Sequence, residues 1–191
     1  MALYFFDALS LLWLVWLGYW VAAVIYERTT STAKQTERRA RGAFPFVFIL
    51  LLVMLTPIGY AGPLGWILLA RSSVIEAVGL AVAASGVALA IWARRHLGTN
   101  WSGIPSVKKG HTLITDGPYS IVRHPIYTGL LLGVAGSALV LRTLSSVFVV
   151  VVVAVVIGIR IGQEERLMRE QFGDEYREYQ RKTKTILPWL W

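Results

Sequence analysis

Long uncharged stretches constrain this chain more than any other feature. Residues 125–141 carry no charged side chain, and neither do the 29 residues of 42–70. A bilayer's hydrocarbon core takes about 20 apolar residues as a helix, or roughly 17 at the short end. In hydrocarbon each backbone N–H and C=O must be satisfied within the segment, so a spanning piece is a helix unless it belongs to a closed barrel. The composition agrees, with 55% of the 191 residues hydrophobic and only 16% charged. The chain therefore reads as an all-α, polytopic membrane helix bundle.

Five spans are predicted, at 8–26, 43–60, 73–93, 125–141 and 143–161, with Arg160 snorkelling from the last. The run 42–70 is too long for one perpendicular helix at about 1.5 Å per residue. Pro57, Gly59, Gly62, Pro63 and Gly65 argue that its helix ends near Tyr60, leaving 61–70 in the outer interface or on a tilted extension. The β-branched run 147–157 would suit a strand in water, but a lone strand in lipid leaves its backbone unpaired. Only about four residues around Arg142 can turn between the last two spans, which predicts a tight helical hairpin. The first run lacks a basic leader and an Ala-x-Ala-like cleavage pattern, so it is expected to be retained as a span. With no cysteine there is no disulfide framework, thiolate nucleophile or Cys-based metal site, and no metal site is expected.

Positive charge predicts the orientation. Of 19 basic residues, all but Arg71 and Arg142 fall in 27–43, 94–124 and 160–191. These segments alternate as five spans require, which places them and the C-terminus in the cytoplasm and the N-terminus outside. Attraction to anionic lipid headgroups and the positive-inside bias account for the net charge of +8, so nucleic acid is not an expected partner. Without an internal repeat or a low-complexity linker, 1–191 reads as one domain.

Two cytoplasmic regions are more than connectors. Residues 94–119 carry Gly98, Asn100, Trp101, Ser102, Gly103, Pro105 and Gly110 and read as an ordered loop rather than a helix. Residues 163–182 are polar and helix-prone. There Glu165, Met168, Phe172, Tyr176 and Tyr179 recur at spacings of three and four, which predicts one aromatic face with an acid at its end. Between these regions, 117–129 sets Arg123, His124 and two tyrosines at the mouth of an uncharged run. An ionisable cluster at that depth is costly unless paired or wet, and is by default a functional-site hypothesis.

Three blocks carry a resemblance: Gly110-His111-x-Leu113; Gly117-Pro118-Tyr119 with Arg123-His124-Pro125-x-Tyr127-x-Gly129; and Glu164-Glu165 followed by Phe172-Gly173, Tyr176, Tyr179 and Leu187-Pro188. In order and spacing the chain resembles the isoprenylcysteine carboxyl methyltransferase family, integral membrane enzymes that use S-adenosylmethionine. The resemblance covers roughly 94–190, so the cofactor pocket is expected mainly there, facing the cytoplasm. It implies cofactor binding by His111, Leu113, Tyr119, His124, Pro125, Tyr127, Glu164 and Glu165, and catalytic roles for Arg123 and Glu165. The wider family includes phospholipid N-methyltransferases, so the acceptor stays open.

The residue types suit that chemistry. Glu164 and Glu165 offer acceptors for ribose hydroxyls or an amino group. Successive helical residues point about 100° apart, and sharing a face with Phe172 and Tyr176 favours Glu165. The rings of His111, Tyr119, His124 and Tyr127 offer surfaces for adenine and the amino-acid tail, and a sulfonium favours aromatic faces. A carboxylate acceptor is already nucleophilic, so alignment and exclusion of water are the remaining tasks. Arg123 could grip such a carboxylate bidentately, whereas an amine acceptor would need a base such as His111, His124 or a Glu.

Blander readings compete. Arg123 and His124 could anchor a span at the headgroups, the Glu pair could be a solvated face, and the aromatic stripe could be packing. Trp13, Trp16 and Trp20, like Trp189 and Trp191, suit interface anchoring or packing, and Gly129-x-x-x-Gly133 with Gly136 suits close helix approach. Glu76 stands near the outer end of its span, within reach of water or Arg71. Two other classes remain. A sterol-reductase-like NADPH oxidoreductase shares a His-Pro-x-Tyr region but reads His-Pro-Asn-Tyr-x-Gly-Glu, where this chain has Ile126 and Leu130. A non-enzymatic scaffold or transporter is disfavoured by the lack of a broken-helix repeat. The expected ligands are S-adenosylmethionine and a lipophilic substrate from the bilayer; oligomeric state is not legible.

Overall fold

The computed structural model describes residues 2–30, 62–98 and 112–187. The predicted second span at 43–60, His111 and most of the loop after Gly98 lie outside them. The described residues are all-α: helices α1 (Ala2–Thr30), α2 (Ser73–Leu97), α3 (Pro125–Leu141), α4 (Leu144–Phe172) and α5 (Asp174–Lys182), with 3-10 turns at Gly62–Gly65 and Gly117–Ser120. The segment Tyr4–Ala23 of α1, and helices α2 and α4, are long and apolar enough to cross a membrane, and α3 is a shorter apolar helix. This is an integral membrane fold.

Local sequence sets the helix ends. Ser72 and Thr143 accept from the backbone N–H groups of Ile75 and Ser146 and so cap α2 and α4, while Pro125 opens α3 where its missing N–H costs nothing. The predicted hairpin is present. Arg142 closes α3 in the left-handed conformation (φ 60°), donating its backbone N–H to Ala138 O, and Thr143 starts α4 at once.

α2 and α3 form the close pair. A Cβ at Gly86 would lie 2.5 Å from the Gly129 carbonyl oxygen, and one at Gly79 would lie 2.8 Å from that of Gly136. Small residues thus let the two backbones touch, as the glycine spacing in α3 predicted. Gly133 opens instead toward α1, whose Trp13 donates from Nε1 to Ser137 Oγ at 3.0 Å. Trp16 stacks on Trp20 with ring centroids 4.9 Å apart, and all three tryptophans are buried. They pack the span rather than anchor its ends.

Glu76, buried at the start of α2, lies 3.4 Å from Arg71 Nε and 3.3 Å from Arg142 Nη2. Arg142 also donates to Leu69 O, while Leu68 N–H bonds Arg142 O and Leu144 N–H bonds Trp66 O. The two basic residues outside the main basic segments thus clasp one carboxylate, tying 66–71 to the α3–α4 turn.

Three expectations change. The fifth span and the polar helix after it are one helix, because nothing between Leu144 and Phe172 interrupts the backbone hydrogen bonds. At 29 residues α4 is about 43 Å long, beyond the roughly 30 Å of hydrocarbon, so its polar end projects past the apolar part. Gly173 (φ 54°) then breaks the helix, and the predicted stripe is divided: Glu165, Met168 and Phe172 lie on α4, Tyr176 and Tyr179 on α5. α2 also runs four residues past its predicted end, bringing His96 into its last turn.

Candidate active site

The ionisable residues converge where the start of α3 meets the C-terminal half of α4, α5 and the segment after it. Arg123 precedes Pro125, so the start of α3 fixes its backbone. That backbone is also paired: Arg123 N–H donates to Lys184 O at 2.8 Å and His124 N–H to Thr185 O at 3.1 Å. Thr128 Oγ1 donates to Ile186 O at 2.8 Å. Residues 183–186 therefore lie as a strap across the N-terminus of α3.

The Arg123 guanidinium is engaged on every nitrogen. Nε donates to Glu165 Oε1 at 2.8 Å, and Nη2 stands 2.8 Å from the same oxygen. Nη1 donates to Gln180 O and Thr183 O, and Nη2 to Thr185 Oγ1 at 2.8 Å. The sequence reading gave this fork to an acceptor carboxylate. In the structure it holds Glu165 and the strap.

Glu165 is the hub of one half. Its Oε2 accepts from Gln180 Nε2 at 2.9 Å and lies 3.6 Å from Arg169 Nη1. Glu164 is the hub of the other. Tyr127 Oη donates to its Oε1 at 2.5 Å, and Arg160 Nε donates to Tyr127 Oη at 2.6 Å and to Glu164 Oε1 at 3.2 Å. His124 joins the halves, with Nδ1 3.7 Å from Glu164 and Nε2 3.4 Å from Glu165; the latter distance lacks hydrogen-bond alignment, leaving a buried ring nitrogen unsatisfied. Both carboxylates enter the site through different partners: Glu164 lies one turn beyond Arg160 on the same face of α4, while Glu165, about 100° further round the helix, meets Arg123 and His124. Arg160 is buried here rather than snorkelling.

The tyrosines line the same end. His124 and Tyr127 rings stack at 5.8 Å. Tyr179 donates to Tyr119 O at 2.6 Å, and Tyr119 donates to Ala93 O at 3.4 Å. Burial pushes the phenols of Tyr119, Tyr176 and Tyr179 well above their ordinary range, so none is a base near neutral pH. Leu113 is half-buried and Pro125 buried at the start of α3. His96 Nε2 stands 3.0 Å from Asp116 Oδ1, which holds that exposed carboxyl below its usual range.

Sequence reasoning missed Arg160, Gln180, Thr183 and Thr185. For Arg160 the signal was its spacing, four residues before Glu164 and on one helix face with it. The strap residues carry no local signal, since each of them acts through its backbone carbonyl.

The fold and this buried charge cluster at the end of apolar helices define a membrane-embedded enzyme-like site. Residues 77–170 match the isoprenylcysteine carboxyl methyltransferase family model. A probable protein-S-isoprenylcysteine O-methyltransferase of Oryza sativa subsp. indica is 40% identical over 81 residues, covering 42% of each chain. Methanethiol S-methyltransferase 1 of Bradyrhizobium diazoefficiens is 38% identical over 71 residues, 37% of this chain and 24% of that protein. The chain thus covers less than half the length of these relatives. The solved structure of a eukaryotic intramembrane Ras methyltransferase, ICMT, superposes with a TM-score of 0.62 at 20% identity, over 88% of this chain and 60% of that one, which shows a shared fold.

Proposed function

We propose that this chain is an S-adenosylmethionine-dependent methyltransferase acting on a lipophilic acceptor from the bilayer, the carboxylate of an isoprenylcysteine-like substrate. One observation carries this reading: within the family-matched region, Glu164 and Glu165 are fixed side by side by Arg123, His124, Tyr127 and Arg160 at the end of apolar helices. The residues fit the cofactor. Two carboxylates suit its hydroxyls and amino group, the buried His124 ring nitrogen has a donor or acceptor role to fill, and the His124 and Tyr127 faces suit a sulfonium. His111 and Leu113 are assigned to the cofactor on the family motif alone. When bound, the cofactor supplies an electrophilic methyl group.

The chain's residues then position and desolvate. Glu165 and Glu164 orient the cofactor, Arg123 keeps Glu165 in place, and Tyr127 with Arg160 keeps Glu164 in place. With the cofactor bound, an acceptor carboxylate would need only alignment with that methyl group and exclusion of water, with no proton for a residue of the site to remove. Charge distribution supports an orientation with this site cytoplasmic, the N-terminus and the Arg142 turn outside, and anionic lipids around the basic segments.

The test is transfer of labelled methyl from S-adenosylmethionine by the detergent-purified protein. A prenylated cysteine analogue is expected to accept it, giving a base-labile ester. Label found only in phosphatidylethanolamine would replace the carboxylate reading with an N-methyltransferase. Stabilisation by NADPH and not by S-adenosylhomocysteine would replace both, since a ligand that binds only the folded state raises apparent stability.

A further inference from the structure

His96 lies outside the charge cluster, in the last turn of α2, yet it meets three residues of the 116–119 turn. Its Nε2 stands 3.0 Å from Asp116 Oδ1, and its ring stacks on Tyr119 with centroids 6.4 Å apart. The ring also lies against Gly117. A Cβ there would come within 2.7 Å of the imidazole, and the φ of 56° is one that a side chain disfavours. The turn is thus shaped to receive this ring. Three residues earlier on α2, Ala93 O accepts from Tyr119 Oη, so the end of α2 grips the same tyrosine at two points.

The gripped segment belongs to the site. It carries Leu113 and Tyr119, which the family motif gives to the cofactor, and it runs directly into Arg123 and His124. The bond to Asp116 needs a proton on Nε2, which one neutral tautomer and the cation both carry. It is therefore made in either charge state of the imidazole.

We propose that His96 is a positioning residue that latches the 116–119 turn to the end of α2 and so holds Leu113 and Tyr119 in place for the cofactor's nucleoside. The inference rests on the methyltransferase reading. His96 is partly exposed and Asp116 largely so, and an exposed pair adds little to global stability. Loss of the latch should therefore appear in the placement of the turn and not in the unfolding temperature.

The test compares the native protein with His96→Ala, His96→Phe, His96→Gln and, as a control on the same helical turn, Arg95→Gln. Phenylalanine keeps a stacking ring without the donor, and glutamine keeps a donor without the ring. Amide hydrogen exchange is read at Tyr119 and Ile121, whose N–H groups bond Asp116 O and Pro118 O. Thermal unfolding, affinity for S-adenosylhomocysteine and KM for a prenylated cysteine acid are measured alongside. If unlatching leaves the turn in its binding position about one-tenth of the time, apparent nucleoside affinity falls about tenfold. His96→Ala is expected to show that loss with faster exchange at both amides, and with native unfolding temperature and acceptor KM. His96→Phe and His96→Gln each recover part, and Arg95→Gln matches the native protein. Native affinity in His96→Ala overturns the assignment. So does a loss of affinity accompanied by a raised acceptor KM and lowered thermal stability, which marks general damage. A native protein that binds no S-adenosylhomocysteine overturns instead the methyltransferase reading. Exchange in His96→Ala needs no ligand and then decides the latch by itself, with native rates overturning it.

Discussion

Arg123 and Glu165 lie 42 residues apart in the chain and meet through a 2.8 Å hydrogen bond between Nε and Oε1. Both side chains are nearly buried, so neither charge tolerates the loss of the other. The same guanidinium reaches the strap through Thr183 and Thr185. One side chain thereby ties the start of α3, the C-terminal half of α4 and the C-terminal segment into one unit.

Arg123→Lys keeps the charge but cannot reach Glu165, Gln180, Thr183 and Thr185 together, because an ammonium lacks the planar fork. A brace predicts that the affinity for S-adenosylhomocysteine falls along with turnover, since Glu165 is released. Breaking a buried pair typically costs about 3–5 kcal/mol, and the lysine retains part of this, so a loss of about tenfold or more in affinity is expected by calorimetry. Unchanged nucleoside affinity with a raised acceptor KM would return Arg123 to the role of a substrate clamp.

Truncation after Lys182 removes the strap while leaving all five described helices in the chain. Arg123 then loses Thr183 and Thr185, and the start of α3 loses its bonds to Lys184, Thr185 and Ile186. The expected outcome is a protein with native helical circular dichroism and no thermal shift on addition of S-adenosylhomocysteine. A full shift would show that the strap is dispensable.

How far the sequence reached follows from the range of each signal. Helix positions, the Arg142 hairpin and the α3 glycine face were legible because run length, capping residues and small-residue spacing are local. The charged blocks were legible as one ionisable cluster, but their pairing was not. Arg160 read as a snorkelling residue because the sequence does not show that Tyr127 and Glu164 face it inside the bundle. The division of the aromatic stripe rested on one positive φ at Gly173, which periodicity alone does not reveal. The strap's parallel pairing of Val122 with Lys184 depends on a contact between residues distant in the chain.

Glu76 offers a contrast at the opposite end of the bundle. Glu76→Ala leaves Arg142 and Arg71 without their carboxylate and is expected to cost about 3 kcal/mol, the low end for a broken buried pair because Arg71 is half in water. Thermal unfolding should shift downward, whereas methyl transfer measured well below the transition should stay native. A selective loss of activity without loss of stability would contradict a purely structural clasp.

Topology is testable directly, since the chain contains no cysteine. A cysteine at Pro63, which is exposed, is expected to react with an impermeant thiol reagent applied to intact cells. One at Lys184, on the strap, is expected to react only after permeabilisation. The reverse pattern would turn the bundle over and place the site outside.

The pH profile separates the acceptors. A carboxylate acceptor arrives ionised and needs no base, so the rate of transfer to a prenylated cysteine acid should stay flat from about pH 6.5 upward. The sign for an amine is opposite at low pH: the nucleophile is the deprotonated form, so its rate climbs with pH until the amine or its base has lost the proton. The tyrosines cannot flatten that climb, because burial has moved the phenols of Tyr119, Tyr176 and Tyr179 upward, away from neutrality. His124, between Glu164 and Glu165, is then the residue placed to take the proton, and His124→Gln distinguishes the cases. With a carboxylate acceptor it should weaken ligand binding and leave the profile flat. A rising profile in the native protein, together with selective loss of turnover in His124→Gln, would establish amine chemistry at this site.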